Sequence, residues 1–322
     1  AKFDLLGLPP TPEEIADFES DPDPDAYERR IEAWLKSPHL GERWGRHWLD
    51  LVRYCDIGES WVNSKGQPYR YRDWVISALN ADMPYDRFLS LQLAADLLPD
   101  ASSSDRAALG FLGLSPNYWK ELQLPVEIIK TIVSDEYEER VHTLYYGLAG
   151  ILASCRVAEQ PLDPGVDVQQ AVALRDQATK IEEDIKKLRA KKTEETGHQI
   201  AELEQKLGHI QSDPLFSTPL VPGLREGGIR VDAAKGKHGS QLVTEDAPKD
   251  LAVEIRGNPN RTAQKVPRRF PLVFTPDGPL EFSEGSGRLE LARALVKEGR
   301  SLVARVLVNR IWMGHFGIGL VN

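Results

Sequence analysis

The sequence predicts a mainly α protein in four parts: a helical N-terminal domain (1–165), a coiled-coil αα-hairpin (166–212), a small antiparallel β unit (213–280) and the start of a C-terminal helical domain (281–322). Three observations carry this. Helix-start signals recur through the first part, each followed by apolar residues three and four apart. A heptad seam occurs twice between 174 and 210. Short alternating segments bounded by Gly, Pro and Asp then fill 227–275.

The elements follow in order. In "TPEE", Thr11 is placed to cap, Pro12 to take the first helical position and Glu14 to return its carboxylate as a capping box. "DPDAYERRIEAWLKS" restarts on Asp and Pro and sets Tyr27, Ile31, Trp34 and Leu35 on one face. "SPHLGERWGRHWLDLVRYC" is a third helix. "YRDWVISALNADM" and "YDRFLSLQLAADLL" are two more, split at Pro84, and "PVEIIKTIVSDEYEERVHTL" is a sixth. Leu174, Ala178, Ile181, Ile185 and Leu188 form the first heptad seam, and Ile200, Leu203, Leu207 and Ile210 the second. The polar "KKTEETGH" between them reads as a Gly-containing turn. Arms this short need a body or a partner to pack on. "GGIRVDA", "SQLVTE", "LAVEIRG" and "FPLVFTP" read as strands, and "GSGRLELARALVKEG" and "SLVARVLVNRIWMGHF" return to helix.

Bulk properties bound the function. With 322 residues, 41% of them hydrophobic, the chain can bury two cores. A net charge of -9 opposes a general nucleic-acid binder. No apolar run approaches the roughly 18 residues of a membrane span. Cys55 and Cys155 make no Cys-x-x-Cys pair; they allow one disulfide, or two buried thiols acting as small apolar residues. The text opens without a leader, so one has been removed or the start lies upstream, and its finish at "GIGLVN" reads as a cut.

Candidate sites each carry a plainer reading. Trp44, His47, Trp48, Leu51 and Cys55 share one stripe of the third helix, while Arg46, Asp50 and Arg53 suit an ion-pair ladder. The plain reading is a core face and a solvated face. As a site, His47 between two indoles stays neutral and able to coordinate. Tyr69, Arg70, Tyr71 and Arg72 suit a carboxylate, sulfate or sugar, because Arg forks onto anions and aromatic rings stack on sugar faces. The plain alternative is a helix start anchored by aromatics. Arg53 and Asp56 join them as candidate ligand contacts, and "SPNYWKE" carries the same ambiguity. "DEYEER" is a carboxylate cluster whose plain reading is a solvated face. "EGSGR" and "IRGNP" lack a phosphate-loop lysine and a full Gly-x-Gly-x-x-Gly, so nucleotide binding is not expected; no metal site is expected either.

Several stretches together resemble a known family. "FDLLGLPPTPEEIADF", "DAYERRIEAWLKSPHLGERWGRHWLDLVRYCD", "YRYRDWVISALNADMPYDRFLSLQLAADLLP" and "LSPNYWKE" are similar to the planctomycete cytochrome-associated family of unknown function. "PRRFPLVF", "GSGRLELARAL" and "ARVLVNRIWMGHFGIGLV" are similar to its usual C-terminal companion domain. The resemblance implies an exported, periplasmic or cell-envelope protein, often with a separate cytochrome-c-like domain and encoded beside sulfatases and polysaccharide-degradation genes. It also implies a Cys-x-x-Cys-His haem c segment where this chain runs directly from Leu144 to Tyr145. Either the chain is a haem-free member or that segment falls in a gap there. On this resemblance Trp44, His47, Trp48 and His142 become haem-contact candidates.

Three functions are then expected in turn: a redox or electron-transfer module linked to polysaccharide metabolism, a non-catalytic scaffold or glycan-binding envelope protein whose 174–210 hairpin docks a protein partner, and a hydrolase using Asp50, Asp56 and Glu59.

Overall fold

A computed structural model describes residues 1–52, 54, 67–113, 142–191, 194–233, 240–254 and 262–321. The chain is mainly α. Helices α1 (Lys2–Leu6), α2 (Pro12–Ser20), α3 (Ala26–Leu35), α4 (His39–Leu51), α5 (Tyr69–Asn80) and α6 (Tyr85–Ala94) lead into a 3-10 segment (Ser104–Leu109) and the short α7 (Gly110–Gly113). The capping box forms at α2 as expected: the Thr11 hydroxyl accepts from the Glu14 amide at 3.2 Å, and the Glu14 carboxylate accepts from the Thr11 amide at 2.7 Å. The expected sixth helix covers 125–144; its part before 142 lies outside the described residues, and α8 (His142–Ala153) runs through Leu144 and Tyr145 as one element.

The hairpin stands as predicted, with one shift. Helices α9 (Val168–Lys191) and α10 (Glu194–Ser212) pack on the two seams, and Ala171, Ala178 and Ile185, seven apart, are its buried residues. Glu194 to His198, read as part of the turn, is helical instead. Glutamates in a first turn complement the positive end of the helix dipole, so the polar run extends α10 rather than ending it.

The β elements differ most from expectation. Among the described residues they are three separate antiparallel two-stranded ribbons rather than one unit. Strand β1 (Cys155–Pro161) pairs with β2 (Leu220–Glu226), β3 (Gly228–Ala233) with β4 (Ser240–Glu245), and β5 (Leu251–Glu254) with β6 (Thr262–Val266). The β1–β2 ribbon closes the base of the hairpin, bringing Leu162 N to 3.2 Å from Pro219 O. "FPLVFTP" is not a strand: Leu272–Phe274 is one 3-10 turn, with Val273 78% exposed. Pro271 starts that turn and removes the amide a ladder would need.

Helices α11 (Arg288–Lys297) and α12 (Arg300–Phe316) close the fold. The main core gathers Tyr71, Trp74, Val75, Phe88, Leu91 and Leu109 from α5, α6 and the 3-10 segment, with Val221 of β2 packed against them. A second core joins Ile151 to Phe270, Phe282 and Ala294. No helix among the described residues is long and apolar enough to cross a membrane.

The third predicted helix packs differently from its expected stripe. Its buried residues are Gly41 and Gly45, while Leu51 is 45% exposed and His47 lies at the surface. The two glycines let α5 approach so closely that a Cβ on Gly41 would sit 2.5 Å from the Ile76 carbonyl oxygen. Trp44 therefore lies beside this helix contact, while Trp48 reaches past it to pack on Phe88, ring centroids 5.0 Å apart. Arg46 does pair with Asp50, at 3.8 Å between exposed side chains; Arg53 lies outside the described residues.

Candidate functional site

The sequence-predicted residues separate into three places. The first is the outer face of α4. Trp44 contacts His47, ring centroids 5.5 Å apart, and His315 of α12 at 4.8 Å. A Cβ on Gly314 would lie 3.1 Å from the same indole. On the side of α4 read as a cofactor face, Trp44 is therefore met by the C-terminal helix, while His47 stays exposed. Partial desolvation, and then the nearby Arg43 cation, hold the His47 imidazole below its ordinary 6.5. Folding thus favours the neutral ring, so His47 contributes stability that is lost as pH falls through the unfolded-chain value toward the folded one. In an NMR titration the His47 Hε1 midpoint is expected below 6.5; a midpoint at or above that value would contradict the packing.

The second place is the core. Trp48 Nε1 donates to Tyr71 Oη at 3.0 Å and to Gln92 Oε1 at 2.9 Å, and Tyr71 Oη donates to the same Gln92 oxygen at 2.7 Å. Gln92 Nε2 in turn donates to the Phe88 carbonyl at 3.0 Å. Trp48 was expected at a cofactor and Tyr71 at a ligand; both are instead parts of a satisfied buried network, and Tyr71 is 1% exposed. Burial pushes its phenol well above the usual range, so it transfers no proton near neutrality. Tyr71→Phe removes two neutral hydrogen bonds but orphans nothing, because Trp48 still donates to Gln92. The expected loss is about 1 kcal/mol in urea denaturation. Gln92→Leu leaves the buried Tyr71 hydroxyl proton without an acceptor, although its oxygen still accepts from Trp48, and its loss should be larger, about 2 kcal/mol.

The third place is a cleft of about 390 Å³ between α5 and the 3-10 segment. The Tyr–Arg alternation splits over the helix period. Tyr71 turns inward, Arg70 and Asp73 line the cleft, and Arg72 pairs with Asp73 through Nε at 3.0 Å and Nη2 at 2.9 Å. Tyr69 lies under the Arg70 guanidinium, 5.6 Å from ring centroid to Cζ. Asp105, on the opposite wall, accepts from Trp74 Nε1 at 3.2 Å and from Ser102 Oγ at 2.8 Å. Asp56, Glu59 and the "SPNYWKE" and "DEYEER" segments lie outside the described residues, as do the side-chain surroundings of His142.

Sequence reasoning missed a buried ionic cluster. Arg288, 1% exposed, binds Asp96 through Nη1 at 3.0 Å and Nη2 at 2.8 Å, donates to the Leu93 carbonyl at 3.0 Å and reaches Glu226 at 3.5 Å. Ser286 Oγ donates to Glu226 at 2.6 Å. Cys155 stands opposite Glu226 in the β1–β2 register and donates its Sγ–H to Ile151 O at 3.2 Å. Burial pushes the Cys155 thiol up to about 11, so it stays protonated and unreactive at neutral pH. The "EGSGR" turn, set aside above as no phosphate loop, holds this chain's own carboxylate: Gly285 and Gly287 take positive φ, at 52° and 88°. The partners lie 62 and 192 positions from Arg288, beyond the reach of any local pattern.

Covalent attachment of haem c needs two thiols three positions apart, whereas Cys55 and Cys155 are far apart and Cys155 is buried. Among the described residues no three His, Cys, Asp or Glu side chains cluster as metal ligands do.

Comparison with known families identifies both ends of the chain. Residues 1–157 match the model PSCyt2, a protein of unknown function (DUF1549), and residues 287–322 match PSD1, a protein of unknown function (DUF1553). Neither a curated protein nor a solved structure matches the chain.

Proposed function

We propose that this chain, which carries the planctomycete cytochrome-associated domain pair, is a non-catalytic binding scaffold of an exported cell-envelope protein. The observation behind this reading is where the charges go. Asp96, Glu226 and Arg288 are spent on one another, and they join the first family region to the second. Asp50, one of the three carboxylates of the hydrolase reading, is exposed and paired with Arg46 at 3.8 Å, and the other two lie outside the described residues. Meanwhile the hairpin carries 24- and 19-residue helices away from the ribbon at its base, a shape suited to docking a protein. The setting beside polysaccharide metabolism rests on the family resemblance. Incubated with polysaccharide, the protein should retain the polymer in affinity electrophoresis without releasing reducing ends. Reducing ends appearing with catalytic turnover would overturn the reading.

A second reading is a redox module, and one observation favours it. Oxidisable rings run in contact through the core, Tyr85 to Trp48 at 6.3 Å and Tyr71 to Trp74 at 6.5 Å, with Trp48 hydrogen-bonded to Tyr71. It expects a Soret band and stoichiometric iron in the purified protein; the absence of both removes it.

A further inference from the structure

The cleft beside α5 has the chemistry of a small polyol site, and we propose that it binds one uncharged sugar residue. The proposal deepens the scaffold reading and rests on it. The volume of about 390 Å³ falls at the lower end for small-molecule sites, enough for one hexose and its linkage oxygen. The floor is apolar, formed by Ala78, Ala81, Met83, Leu162 and the edge of Trp74. One Trp74 face is packed on Phe88 at 5.2 Å and 13°, so the indole is fixed in place. Such a floor matches the C–H face of a pyranose.

Polar groups stand around that floor in fixed orientations. Asp105 is held by the Trp74 indole N–H and by Ser102, whose amide donates at 2.9 Å and hydroxyl at 2.8 Å. Asp73 is steadied from behind by Arg72. Arg70 donates Nε–H to Gln67 and rests on Tyr69, and its two terminal nitrogens have no acceptor among the described residues. A donor fork with open N–H groups, lining the same cleft as two ordered carboxylates, suits hydroxyl groups that both accept and donate.

The same carboxylates decide the ligand's charge. Arg70 shares the cleft with Asp73 and Asp105, but Arg72 already holds Asp73 at 2.9 Å and Arg87 lies 4.0 Å from Asp105, so the charges around the cleft balance and offer a sulfate or uronate no net attraction. The sulfate and carboxylate options left open by the sequence are therefore disfavoured, and the neutral sugar is kept.

The test is an NMR titration of the whole protein with the methyl glycosides of glucose, galactose and mannose, beside glucuronate and glucose 6-sulfate. A neutral glycoside is expected to shift the Trp74 indole and the Ser77 and Ser104 amide signals. Arg70→Ala and Asp73→Asn, at rim positions outside the core, should weaken it about tenfold each without changing the melting temperature. Tighter binding of the sulfated or uronic sugar would overturn the ligand class. Cleft signals unmoved by every sugar would overturn the site. Polysaccharide retention that is unchanged in both variants would also place binding elsewhere, leaving the scaffold reading standing.

Discussion

Arg288→Ala is expected to cost the fold about 3–5 kcal/mol, because it strands the buried Asp96 carboxylate and frees the Leu93 carbonyl. A loss of that size is a large share of the stability of an ordinary domain. Arg288→Lys keeps one charge but cannot make the two parallel bonds to Asp96, so it should fall between the wild type and the alanine variant. The double variant Arg288→Met, Asp96→Leu removes both buried charges and fills the space with apolar atoms. It should recover most of the lost stability, since a well-packed apolar pair often replaces a buried ion pair without cost. Urea denaturation measures all three. A loss below about 1 kcal/mol for Arg288→Ala would mean the node is solvated and holds nothing together.

The second large effect is at Gly41. Its amide donates to Asn80 Oδ1 at 2.8 Å, and a Cβ would meet the Ile76 carbonyl at 2.5 Å and the Asn80 side chain at 2.7 Å. A backbone carbonyl in a helix has nowhere to go, so Gly41→Ala should part α4 from α5 and cost about 3 kcal/mol. Gly45→Ala meets side chains rather than backbone, Ile76 at 3.3 Å, Val75 at 3.7 Å and Leu79 at 3.8 Å, and should cost less. Gly197, a helical position in α10 with nothing within 4 Å, should go the other way. There alanine gains helix propensity, about 0.5–1 kcal/mol. The ordering Gly41, Gly45, Gly197, with a change of sign at the end, can be read from three melting curves. Equal effects at all three would show that the approach of α4 to α5 is not what these glycines serve.

What the sequence disclosed was local. The Thr11 capping box and the hairpin seams repeat over three to seven residues and were visible at that range. What it hid was made by contacts between distant segments. Strands β1 and β2 lie on either side of a 24-residue helix and a 19-residue one, and Pro222 and Gly223 mask the alternation of β2. The Tyr69–Arg72 alternation suggested one binding surface, but a helix turns by about 100° per residue, so Tyr71 faces inward while Arg70 faces the cleft. The apolar stripe of α4 is made by its large residues. Its packing face was set by its smallest, because a missing side chain lets a neighbouring backbone come close, and hydrophobic periodicity does not register that. For the cleft itself, Arg70 was named at the outset, while Asp73 and Asp105 acquired meaning only once the 3-10 segment placed Asp105 opposite.

The account holds that the ionic node is structural and that binding is done elsewhere. The most direct measurement is polysaccharide retention by the Arg288→Met, Asp96→Leu double variant, with its fold checked by circular dichroism. Retention equal to the wild type in a folded variant is the predicted result. A folded double variant that no longer retains the polymer would contradict the account and make the Asp96–Arg288–Glu226 node part of the site.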